Sequence, residues 1–182
     1  MLAAMEIMVW PPGTLTWNRR RVRCALGRGG VRAEKREGDG ATPAGTFPLR
    51  RVLYRADRLP PPETGLPVKE IKPGDGWCDD PADADYNRPV TRLLATGHET
   101  MWRDDNVYDV VVPLGYNDDP VEPGLGSAIF LHVARLDFGP TKGCVALALG
   151  ELLDLLRACD ESTQLSVSPG PPSTAPPAPR RA

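Results

Sequence analysis

Two histidines, His98 and His132, and four cysteines, Cys24, Cys78, Cys144 and Cys159, are the side chains best suited to nucleophilic or metal chemistry. Their spacing excludes most of it. There is no C-x-x-C pair and no paired histidine spacing, so zinc-finger and zinc-ribbon sites fail, and no metal or cofactor is expected. One pair remains. His132 ends the apolar run Ala128-Ile-Phe-Leu-His132, and Cys144 follows twelve positions later, directly after Gly143. The segment between holds Gly139-Pro140 and must turn, so two strands joined by it would bring imidazole and sulfur together. A thiol of pKa about 8.5 is largely protonated at neutral pH and needs a base or a cation to make thiolate. His132 is the candidate base and Lys142 the candidate cation, while Gly143 leaves room for backbone N–H groups to converge on an oxyanion. On spacing alone the bland alternative stays open: a buried apolar cysteine and a structural strand-end histidine.

The elements that must position this pair read as β structure. Ile7 to Trp10 is apolar, Pro11-Pro12-Gly13 turns, and Thr14 to Trp17 is β-prone. Arg21 to Leu26 alternates polar with apolar, the period of a half-buried strand. Gly27 to Gly45 reads as a long polar loop and Phe47 to Tyr54 as the next strand. Residues 55–101 dissolve into Pro, Gly and charge. So long an irregular stretch forms either a lid or site wall, or a surface excursion packed by Leu66, Ile71, Trp77 and Tyr86. Strands are expected over Val107 to Val112, Ser127 to Val133, Cys144 to Leu149 and Thr163 to Val167. Before the last of these, Gly150 opens a helix with Leu152, Leu153, Leu155, Leu156 and Cys159 on one face. Residues 1–168 form one domain. Residues 169–182 carry six prolines and read as a tail that buries no core.

Composition supports that reading. The chain has 182 residues with 18 Gly and 21 Pro, too many breakers for a helical bundle. The 22 basic residues nearly cancel 24 acidic ones, for a net charge of −2, so no global field points to nucleic acid. No apolar run approaches the roughly 18 residues of a membrane helix. The first ten residues lack a basic segment and a small-residue cleavage site, and carry Glu6 inside their apolar stretch. No signal peptide is therefore visible.

Ala128-Ile-Phe-Leu-His132 followed by Thr141-Lys-Gly-Cys-Val-Ala-Leu147 resembles the L,D-transpeptidase catalytic domain of the YkuD type. That family carries a His on a strand, a loop, then Ser/Thr-His-Gly-Cys and an apolar strand. Gly40-Ala-Thr-Pro-Ala-Gly-Thr-Phe47 resembles its Thr-Pro-x-Gly-x-Phe element. Three departures stand out: a short His-to-Cys interval, Lys142 where the family has His, and Ala146 where an Arg commonly follows.

The resemblance implies a mainly β fold, a β-sandwich or partly closed β-barrel with one prominent helix after the catalytic strand. It implies acyl transfer on peptidoglycan stem tetrapeptides through a Cys144 thioester, with His132 as base. The carbonyl of Val133 would orient the imidazole, and the N–H groups of Lys142, Gly143 and Cys144 would form the oxyanion hole. Thr141, Arg135, Arg103, His98 and Trp102 are candidate substrate contacts, with Arg103 or Arg135 replacing the missing carboxylate anchor. For His98 the alternative is a capping or surface residue beside a packed Trp102. Two other readings stay open: a non-catalytic cell-wall-binding relative, suggested by the lost Arg, and a cytoplasmic thiol amidohydrolase, suggested by the unseen signal. The family implies the periplasm or cell envelope. Oligomeric state is not legible.

Overall fold

The computed structural model describes residues 5–91 and 97–171. Two five-stranded sheets enclose the main core. The first contains Glu6–Trp10 (β1), Thr14–Trp17 (β2), Arg20–Arg23 (β3), Gly45–Pro48 (β6) and Gln164–Val167 (β15), in the order β3-β2-β1-β15-β6. The second contains Val52–Tyr54 (β7), Val68–Glu70 (β8), Val110–Pro113 (β12), Phe130–Val133 (β13) and Val145–Leu147 (β14), in the order β14-β13-β12-β7-β8. Val31–Arg32 (β4) and Thr42–Pro43 (β5) make a small pair. Gly76–Cys78 (β9), Pro89–Val90 (β10) and His98–Thr100 (β11) make a three-stranded sheet. The helix is Leu149–Arg157 (α1). The protein is mainly β, as expected, and its sheets remain open rather than closing into a barrel.

The core follows from period 2. Ile7, Val9, Leu15 and Trp17 point inward from the first sheet, where Leu165 and Val167 join them. From the second sheet Val110, Val112, Leu131, Val133, Val145 and Leu147 point to the same core. The helix lays Leu152, Leu155 and Leu156 against it and packs on β13. Each such side chain, fully withdrawn from water, contributes about 1.5–3 kcal/mol. The odd-numbered positions of β13 and β14 therefore belong to the core. The even-numbered ones face the other way, into a second cluster formed by Phe130, Cys144, Val111, Tyr108, Ile71 and Met101. All four residues of β13 are buried. This strand is covered on both faces, which is why it reads as an unbroken apolar run.

Two expectations need correction. Phe47 to Tyr54 is not one strand: β6 pairs with β15, and β7 pairs with β12 and β8 in the other sheet. Pro48 cannot donate to a ladder, and Leu49 crosses between the sheets through a bridge to Leu114. Residues 55–101 are not structureless either, since they contain β8 to β11, although residues 92–96 lie outside the described part. Val107 to Val112 narrows to β12, which begins at Val110, and Ser127 to Val133 narrows to β13. The proline-rich segment from 172 onward lies outside the described residues. Among the described residues no helix is long and apolar enough to cross a membrane.

Candidate active site

β13 and β14 run parallel, with Leu131 opposite Val145 and His132 opposite Ala146. By alternation Cys144 shares the face of His132, two residues back along the neighbouring strand. A strand spacing of about 4.8 Å and a rise of about 3.3 Å per residue put the two Cα atoms about 8 Å apart, within the combined reach of the side chains. Both residues are 7% exposed, and both line one cleft of about 540 Å³.

His132 Nδ1 lies 2.9 Å from the carbonyl oxygen of Val133. A carbonyl only accepts, so Nδ1 carries the proton and Nε2 keeps a free lone pair. Burial lowers the His132 pKa to about 4, and the nearby charges of Arg103 and Arg135 act in the same direction, against the Val133 bond. The ring of Tyr108 packs edge-on against the imidazole at 5.3 Å. The Cys144 thiol donates to the carbonyl of Ala128 at 3.2 Å and accepts from the N–H of Phe130 at 3.4 Å. Burial pushes its pKa up to about 12. Among the described residues no hydrogen bond joins Cys144 to His132, and burial disfavours both the thiolate and the imidazolium.

The turn before Cys144 is tightly specified. Thr141 Oγ1 donates to the Cys144 carbonyl at 2.7 Å and accepts from the Gly143 N–H at 3.0 Å. Of the three amides expected in an oxyanion hole, that of Gly143 is thus already engaged by Thr141. Gly143 has φ +137°, and a Cβ there would lie 2.7 Å from the carbonyl oxygen of Ala41. Only glycine fits this position without moving the Ala41 backbone.

Ala128, at φ +52°, is braced from behind. Its N–H donates to Asn87 Oδ1, which also accepts from Trp77 Nε1, while Asn87 Nδ2 donates to the carbonyls of Tyr116 and Asn117. Glu37 accepts from Tyr86 and Ser127, adding a second brace to the same loop. Part of region 55–101 therefore packs behind Ala128, and Asp79 and Glu99 from it line the cleft.

The cation assignment changes. The Lys142 side chain is exposed, whereas Lys35 is 5% exposed; at the Cys144 thiol the Phe130 N–H opposes burial most, Glu99 acts with burial, and the charge of Lys35 opposes it least. Lys35 pairs with Asp39 at 2.8 Å. Across the cleft Asp79 is raised, first by burial and then by Glu99 and Glu37.

Of the remaining predicted contacts, Thr141, Arg135 and Arg103 line the cleft, and His98 and Trp102 do not. Trp102 stacks under Arg55, 3.6 Å from its ring centroid, and His98 sits opposite Cys78 with its Nδ1 buried and unpartnered. Arg103 is already bound in two-pronged fashion to Asp105. Sequence reasoning missed Arg28, Lys35, Glu37 and Tyr108. The only signal for the first three was their closeness to the Gly40–Phe47 element. No group of three potential metal ligands exists among the described residues.

The open β scaffold thus sets a cysteine just before one strand and a histidine on its parallel neighbour, both lining one charged cleft. The chain belongs to the L,D-transpeptidase catalytic domain family, YkuD, whose model matches residues 2–167. No curated protein matches it. Among solved structures it is similar to the helical cell shape determining protein Pgp2 from Campylobacter jejuni, at 15% identity and a TM-score of 0.50, covering 92% of this chain and 47% of that one. It is also similar to L,D-transpeptidase 1 of Mycobacterium tuberculosis, at 15% identity and a TM-score of 0.40, covering 90% of this chain and 58% of that one. The chain spans about half the length of the solved structures it matches.

Proposed function

We propose that this protein is a cysteine-dependent acyltransferase acting on peptidoglycan stem tetrapeptides. The observation that carries the reading is the placement of Cys144 and His132 on one face of adjacent parallel strands, with the imidazole tautomer fixed by Val133. Sγ of Cys144 attacks the carbonyl carbon of the third residue as its proton passes to Nε2 of His132. The oxyanion forms against the N–H groups of Lys142 and Cys144, because that of Gly143 is held by Thr141. The C–N bond then breaks, the imidazolium protonates the leaving D-alanine amine, and a thioester remains. An acceptor amine attacks the thioester, gives up its proton to His132 and restores the thiol. Water in that role gives carboxypeptidase activity. The site of action is then the periplasm or cell envelope, where the substrate lies.

The test is intact-mass analysis after incubation with a carbapenem or a tetrapeptide donor. The wild type gains a covalent adduct, Cys144→Ala gains none, and His132→Ala acylates slower by orders of magnitude. An adduct on Cys144→Ala, or unchanged kinetics in His132→Ala, overturns the assignment.

A second reading, a cell-wall-binding module without chemistry, is favoured by the protonated thiol held on Ala128. Sacculus binding by a wild type that no acylator modifies is its signature.

A further inference from the structure

Position 146, where the family commonly has arginine, holds an alanine that is 1% exposed. It is capped by Ala25 through reciprocal backbone hydrogen bonds of 2.8 and 3.0 Å. That small buried methyl cannot hold a carboxylate. The segment that caps it continues to Arg28, whose N–H donates to the Thr141 carbonyl at 2.9 Å and whose side chain lines the cleft. A Cβ on Gly40 would lie 2.9 Å from both Cγ and Nε of Arg28, so the arginine stem is seated directly on that glycine. The next residue, Ala41, is the one whose carbonyl presses on Gly143 beside the nucleophile. Arg28 is therefore tied to the Cys144 turn by one backbone hydrogen bond, to Thr141, and its stem lies on the glycine that precedes Ala41.

Five basic side chains line the cleft. Lys35 and Arg103 are neutralised within the protein by Asp39 and Asp105. Arg28, Arg135 and Lys142 are all exposed and unpaired with any described residue; what sets Arg28 apart is the seat of its stem on Gly40. Arg28 makes no ion pair and no side-chain hydrogen bond with any described residue, and its guanidinium fork is suited to two-pronged carboxylate binding. A free, seated arginine next to a site that lacks its usual one is a specificity element waiting for an anion.

We propose that Arg28 binds the terminal carboxylate of the donor stem peptide, taking over the task that no side chain at position 146 can perform. The proposal rests on the acyl-transfer reading above and narrows it to donors with a free C-terminal carboxylate.

The experiment compares kcat/KM for a tetrapeptide donor and for the same peptide with its C-terminus amidated. The wild type prefers the acid by about ten- to a hundredfold, the range expected when one charge-assisted hydrogen-bonded pair is lost. Arg28→Gln brings the acid down to the level of the amide, chiefly through KM. Arg28→Lys restores part of the preference, and thermal melting confirms that both variants fold. Arg135→Gln and Lys142→Gln keep the acid-to-amide ratio. An Arg28→Gln protein that still prefers the acid, or loss of the ratio in Arg135→Gln or Lys142→Gln instead, overturns the assignment to Arg28 and leaves acyl transfer standing. A folded wild type that acylates with neither peptide nor a carbapenem overturns both.

Discussion

The depressed proton affinity of His132 links the candidate site to stability in a way that can be measured without substrate. Burial lowers its pKa from the ordinary value of 6.5 to about 4. The unfolded chain therefore takes up this proton more readily than the folded one. Its contribution to stability is complete above about pH 6.5, falls as pH drops through the window between 6.5 and about 4, and levels off below it. Each tenfold difference in proton affinity is worth about 1.4 kcal/mol, so the total loss across the window is about 3 kcal/mol. Urea unfolding of the wild type and of His132→Gln at a series of pH values isolates the effect, because the titrating carboxylates are common to both proteins. Plotted against pH, wild-type stability minus variant stability should decline by about 3 kcal/mol from pH 7 to pH 4. Nitrogen-detected NMR of the imidazole should show a protonated Nδ1 and a bare Nε2 over most of that range. A flat difference curve, or an imidazolium already present near pH 6, would refute the burial argument.

Three further outcomes follow from the geometry. Gly143→Ala forces a Cβ against the Ala41 carbonyl at positive φ, and should cost about 2–4 kcal/mol in urea unfolding while abolishing acylation. Asn87→Ala strands the Trp77 N–H, the Ala128 N–H and two carbonyls. A loss of about 3 kcal/mol is expected, along with a lower acylation rate as Ala128 and the Cys144 thiol lose their brace. Lys35→Met leaves Asp39 without its cation in a nearly closed site and should destabilise by about 3 kcal/mol, with Lys35→Met/Asp39→Asn recovering part of it.

Much of the site was legible because the signals are local. The run ending at His132, the turn at Gly139-Pro140 and the Gly143–Cys144 step together define two short strands and the loop that joins them. The leucine spacing after Gly150 likewise marks the helix, which the structure places at Leu149–Arg157. Alternation along a strand is set by covalent geometry, so it survives in sequence whatever the rest of the chain does. What the tertiary structure decided is which distant backbone comes to lie against those strands. Ala25 sits on Ala146, Ala41 on Gly143, Asn87 behind Ala128 and Arg28 on Gly40. Each contact joins residues held together by long-range burial and ladder pairing, not by any neighbour-to-neighbour preference. Lys142, adjacent in sequence to the cysteine turn, looked like its cation, yet its side chain is exposed, and the buried lysine of the cleft is Lys35, over a hundred positions earlier. Local spacing singled out Cys144 and His132 as the candidate pair. Only the fold determined that both are buried, and which charged side chains line the cleft with them.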